Sequence, residues 1–124
     1  MANPNIVNVT SILGNTDMYA LATAAALTIL SNAASSGKLI KVNLLTVTNV
    51  DGVSNADISV DVHNAAAGGG TGFAISSTNV VPADARLDVI NKENPLYLTE
   101  DMSITATPSA ADDLELVISY EEIS

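Results

Sequence analysis

The chain has no cysteine and no tryptophan, only 3% aromatic residues, and four basic side chains against fourteen acidic ones. Without cysteine there is no disulfide, no thiolate nucleophile and no zinc–thiolate centre, so the fold must hold by its apolar core. With three tyrosines and one phenylalanine, platforms for stacking sugars or bases are scarce. A formal charge of −10 repels nucleic acid and anionic lipid, which excludes both and leaves neutral, basic or protein surfaces as partners. The most apolar window, residues 19–30, is shorter than the ~20 residues that span a bilayer and is broken by Thr23 and Thr28. No membrane segment is expected. The opening MANPNIVNVT has neither the basic flank nor the apolar stretch of a signal peptide, so secretion is not expected either.

What is present is aliphatic. Hydrophobic residues make up 48% of the 124, a length that suits a single domain burying roughly 65% of its unfolded surface. The longest strand-forming run is KLIKVNLLTVTNV, from Lys38 to Val50. Ile40, Val42 and Leu44 fall on one face and Leu39, Leu45 and Val47 on the other, the pattern of a central strand covered on both sides. Ser35-Ser36-Gly37 turns into it and Asp51-Gly52 turns out, both with residues that tolerate tight hairpin turns.

Before this run, residues 5–13 read as a first strand, and residues 1–13 as an extended arm or edge strand, closed by Gly14-Asn15. In residues 19–34 the alanines favour helix by propensity, while the flanking strands and the absence of an amphipathic stripe favour two short strands. A single helical turn near Thr23 to Ala26 is compatible with either. After the run, residues 57–63 alternate, with Ile58, Val60 and Val62 inward and Asp57, Ser59, Asp61 and His63 toward solvent. AAAGGGTG reads as a flexible loop. Short strands then follow around Phe73 to Val81, Leu87 to Val89, Leu96 to Leu98 and Met102 to Ala106. A last strand carries Leu114, Leu116, Ile118 and Tyr120 inward. The fold class is all-β: a small antiparallel two-sheet sandwich, jelly-roll-like, of about eight or nine short strands.

No catalytic constellation emerges. Gly68-Gly69-Gly70-Thr71-Gly72 lacks the Lys-Ser/Thr pair of a phosphate loop and precedes a strand instead of a helix. His63 is the only histidine, and Ser59, Asp61 and His63 share an open strand face with no pocket, so a solvated histidine is expected. Asp57 and Asp61 lack the glycine and closing glutamate of an EF-hand calcium loop. The expectation is a protein with no enzymatic activity, no cofactor and no metal.

The stretch SNAASSGKLIKVNLLTVTNV (31–50) and the tail VVPADARLDVINKENPLYLTEDMSITATPSAADDLELVISYEEIS (80–124) resemble small virion structural proteins of tailed bacteriophages. The turn-and-strand order VPADARLDVINKENPLYLTEDMSI, closing on ISYEEI, is the specific part. The resemblance implies a capsid decoration (cement) protein on the outer surface of the virion, made in the host cytoplasm. Its partners would be the major capsid protein or another virion protein and further copies of itself, a trimer being one closed form. The alternative it implies is a tail, neck or fibre accessory module touching host carbohydrate, with Tyr19, Tyr97 and Phe73 as platforms. The interaction residues expected are Ile6, Val7 and Val9 in the arm and Glu121, Glu122 and Ile123 at the acidic end.

Overall fold

The computed structural model describes residues 4–124. Among these residues nine strands follow one another: β1 (Ile12–Ala20), β2 (Leu27–Asn32), β3 (Leu39–Asn49), β4 (Ala56–His63), β5 (Gly72–Val81), β6 (Arg86–Ile90), β7 (Leu96–Leu98), β8 (Met102–Pro108) and β9 (Leu114–Ile123). One sheet has the order β1-β9-β3-β6, with β7 continuing β6 along the same side of β3, and the other has the order β2-β8-β4-β5. Every pairing is antiparallel. The order is that of one long hairpin in which β4 meets β5, β3 meets β6 and β7, β2 meets β8, and β1 meets β9. Rolling that hairpin also brings β9 onto β3 and β8 onto β4, which makes the sandwich a jelly roll.

Period-two alternation places the core. Leu114, Leu116, Ile118 and Tyr120 of β9 are buried, as are Ile58 and Val60 of β4 and Ile104 and Ala106 of β8. They pack with Leu21, Ile29, Leu45, Val47 and Leu98 into one aliphatic layer between the sheets.

β3 departs from its expected two-faced pattern. Its register against β9 shifts between Val42 and Leu44, and the extra residue of such a bulge changes the parity of everything after it. Ile40 and Val42 therefore face the same core as Leu45 and Val47, while Leu44 turns outward and is only half-buried. Apart from Leu39, which is buried outside the core cluster, the strand is one-sided.

The turns flanking β3 also differ from hairpins, because β2 and β4 belong to the opposite sheet. Each crossing is clamped by a buried asparagine at the end of the preceding strand. Asn32 Nδ2 donates to the Lys38 and Leu98 carbonyls (2.9 and 3.0 Å) and its Oδ1 accepts from Ser36 Oγ. Asn49 Nδ2 donates to the Ser54 and Val81 carbonyls (both 2.9 Å) and its Oδ1 accepts from the Asp51 amide. A side-chain amide supplies two donors and an acceptor from one core-facing position, which satisfies turn carbonyls that no strand partner reaches.

The first strand starts later than expected. Residues 5–11 form turns and bends, and Gly14-Asn15 lies inside β1 instead of ending it. The alanines of residues 21–26 form neither helix nor an additional strand but an irregular link from β1 to β2. So short a segment cannot sustain a helix without an apolar stripe to bury. It is anchored by Leu21, which is buried, donates its amide to Leu114 and accepts from Asp112.

Candidate interaction surface

Of the side chains weighed for chemistry, His63 and Ser59 are committed to structural bonds. His63 is half-buried, its Nδ1 3.1 Å from the Gly69 carbonyl and its Nε2 2.9 Å from Thr105 Oγ1. The expected solvated histidine is thus replaced by a bridging one. The reason is the β4–β5 loop, which folds back over β2 and β8. Ala67 donates its amide to Ser31 Oγ, Gly68 to Ser103 Oγ and Ala66 to Asp101 Oδ1. Ser103 in turn donates to the Ala65 carbonyl, and Ser103 and Thr105 are buried beneath the loop. The glycine run is needed for this approach: at Gly68, with φ +72°, a Cβ would sit 2.9 Å from Thr28 Oγ1. Ser59 Oγ is likewise occupied, accepting from the Thr78 amide. Among the described residues no group of three or more His, Asp or Glu side chains is arranged to hold a metal ion.

The segment that carries Ile6, Val7 and Val9 runs into the end of β9. Thr10 and Ser11 donate their amides to the Ser124 carbonyl (2.7 and 2.9 Å), and Ser124 donates back to Ser11. The segment before β1 is therefore stitched to the end of β9. Ile6 is exposed and Val7 91% exposed, whereas Val9 is half-buried. Glu122 pairs with Lys38 at 2.9 Å, and Glu121 accepts from Asn43 Nδ2 at 2.8 Å. Ile123 is buried, in register with Ile12 on one side and Leu39 on the other.

The three aromatic platforms do not share a surface. Tyr19 packs against the core and donates its hydroxyl to the Ile29 carbonyl at 2.8 Å. Tyr97 is exposed on β7 in one sheet and Phe73 on β5 in the other. Burial, then a hydroxyl bond to Asp17 at 2.9 Å, pushes the Tyr120 phenol up to about 12. Burial and the same carboxylate raise Tyr19. On the outer face of the first sheet, Lys41, Asn43, Leu44, Lys92 and Glu121 line an open, shallow depression of about 540 Å³.

Sequence reasoning passed over β1 itself. The four sheet edges are β1, β2, β5 and the β6–β7 line, and Ile12, Leu13 and Met18 of β1 are exposed, Met18 by 76%. The available signal was charge: in the first 37 residues Asp17 is the only acidic or basic side chain, and the remaining 87 carry the other seventeen.

No model of a known protein family matches the chain, and no curated protein matches its sequence. Among solved structures, it is similar to a chain of the disulfide-linked pili of Bacillus endospore appendages, with a TM-score of 0.53 and 14% identity over 99% of this chain and 94% of that one. It is similar also to a chain of the T13 IBDV viral particle, with a TM-score of 0.53 and 10% identity over 93% of this chain. The match spans 31% of that viral chain's length. A chain of the acidic-stable capsid of Helicobacter pylori bacteriophage KHP30 matches with a TM-score of 0.48 and 9% identity over 94% of this chain and 90% of that one. At 14% and 10% identity, the pilus and viral-particle likenesses are likenesses of fold: this chain shares a two-sheet β architecture with subunits from both.

Proposed function

We propose that this protein is a structural component of a tailed-phage virion, a decoration protein that binds the outside of the assembled shell and stabilises it, and that it has no enzymatic activity. The observation that carries this reading is the jelly-roll interior. It is closed by aliphatic side chains, while His63, Ser59, Tyr19 and Tyr120 are each held in bonds within the fold. A domain of this kind acts through its surface, and adhesion needs many copies each burying on the order of 800 Å² per partner. The net charge of −10 supports an outward position, because packaged DNA would repel it. The fold likeness to a viral-particle chain supports the particle setting. The partner is then the major capsid protein, contacted through the exposed Ile6 and Val7 and through Glu121 and Glu122.

The likeness to a pilus chain along nearly the whole of both chains favours a second reading, a subunit of an extended appendage such as a tail, neck or fibre part. A cysteine-free chain would hold such an appendage without disulfides. Quantitative mass spectrometry and imaging of intact particles separate the two. Copies in proportion to shell subunits and density over the head support decoration, and a few copies confined to one vertex or the tail support the appendage. Absence from particles overturns both.

A further inference from the structure

We infer that the free edge of β1 is a self-association site, at which two copies of this chain pair antiparallel about a two-fold axis through Thr16. A strand edge with unpaired amides and carbonyls invites another strand, and folded proteins blunt such edges with bulges, proline, charge or brevity. Three of the four edges here are blunted. β2 has six residues and a bulge between Thr28 and Leu30. β5 breaks register twice against β4, and Thr78 adopts φ +45°. The remaining edge is split into β6 and β7, of five and three residues, with the Arg86–Asp88 ion pair on β6 and Pro95 ahead of β7. β1 has neither a break nor a bulge nor a proline: it runs nine residues in unbroken register with β9, and Asp17 is its one charged side chain.

The direction of its backbone groups can be read from the ends of the ladder. Ser11 exchanges hydrogen bonds with Ser124, and Leu21 donates to Leu114. In an antiparallel pair such bonds fall on alternate residues. The odd-numbered residues of β1 therefore face β9, and the amides and carbonyls of Ile12, Gly14, Thr16, Met18 and Ala20 face out. Pairing a second β1 about Thr16 sets Ile12 against Ala20, Gly14 against Met18 and Thr16 against Thr16 of the second copy. Every position with free groups then meets another with free groups. Between them Leu13 lies opposite Tyr19 and Asn15 opposite Asp17, so no like charges oppose one another, and a threonine pair is favourable across strands.

Charge selects a second copy as the occupant. Two chains of −10 repel over most of their surface, but β1, β2 and the link between them carry Asp17 as their only charged side chain, and it is engaged by Tyr120. This is where like molecules approach at least electrostatic cost. Tyr19 bridges from β1 to Ile29 of β2, making one neutral side wall. This inference does not depend on the virion reading: a dimer that never enters particles would overturn that reading alone.

The test is the mass of the purified chain by sedimentation and light scattering at micromolar concentration, with hydrogen exchange at the β1 amides. Wild type should have twice the mass of 12.7 kDa, with the outward amides of Gly14, Thr16 and Met18 protected. Thr16 is exposed, so Thr16→Lys and Thr16→Glu should leave the fold intact. Each places like charges opposite one another at the axis and should weaken dimerisation by about tenfold or more. An equal mixture of the two should restore a dimer containing one of each. Val80→Lys on β5 should leave the dimer unchanged. A monomeric wild type, a trimer or filament, Thr16 variants with undiminished dimer, or a mixture that fails to restore it would each overturn the inference.

Discussion

Along one side of the sandwich β1 runs nine residues in step with β9, while along the other β5 loses step with β4 on both sides of Val60. Both strands expose large apolar side chains: Ile12, Leu13 and Met18 on β1, and Phe73, Ile75 and Val80 on β5. By hydrophobicity alone the two sides are equal candidates for contact. They differ in backbone and in charge. The β5 side adjoins β6, with Arg86 and Asp88, whereas the β1 side is neutral apart from Asp17. An exposed apolar residue on an irregular edge has no regular ladder to extend, and the same residue on a regular edge does. Regularity of the backbone, more than the amount of exposed hydrocarbon, separates a docking edge from an ordinary surface.

Paired substitutions on the two sides test this most directly. Leu21 seals the β1 side and is 2% exposed, so Leu21→Ala should cost about 2–5 kcal/mol in urea unfolding. Phe73 on the β5 side is 61% exposed, and Phe73→Ala should cost under about 1 kcal/mol. Equal losses would mean that the β5 side is covered after all.

A middle-sized effect belongs to the β1 side. The Tyr120 phenol lies above its ordinary 10, at about 12, so the folded state holds this proton more tightly than the unfolded chain does. The stability it contributes is fully present below pH 10 and is lost as pH rises toward 12. Tyr120→Phe should cost about 1 kcal/mol at neutral pH through the lost bond to Asp17. It should also flatten the decline in unfolding midpoint between pH 10 and 12, and an unchanged slope would remove Tyr120 as its source.

The smallest effect is expected from the exposed ion pairs, Lys38–Glu122 and Arg86–Asp88. Lys38→Met and Arg86→Met should each change stability by less than about 1 kcal/mol, since water and salt screen such pairs. A larger loss for Lys38→Met alone would show that the stitched end near Ser124 depends on charge.

Much of the fold was legible in the chain. The alternation in β4 and β9 named their core residues before any pairing was known, because a side chain's face in a strand is a local property of period two. Asn32 and Asn49 had a signal that went unused: each is a polar residue at the inward-facing end of an apolar strand, just before a turn. The glycine run was read as loose because composition reports what a backbone can do, and packing against Ser31, Ser103 and Thr105 decides what it does. The bulge in β3 left no mark in residue type, so only the structure puts Ile40, Val42, Leu45 and Val47 on one face. Of the expected contact residues, Ile6 and Val7 lie open while Ile123 is buried between Ile12 and Leu39, a difference set by strand neighbours far away in the chain.

The sequence by itself determined that this is an aliphatic, acidic, cysteine-free β sandwich, because composition and alternation act residue by residue and need no partner. Only the tertiary structure decided which strands stand at the edges, which of those edges is regular and bare, and which polar side chains are consumed in holding the turns. Those outcomes depend on pairings between residues as distant as Ile12 and Ile123, and on single-residue register shifts that reverse the facing of everything beyond them.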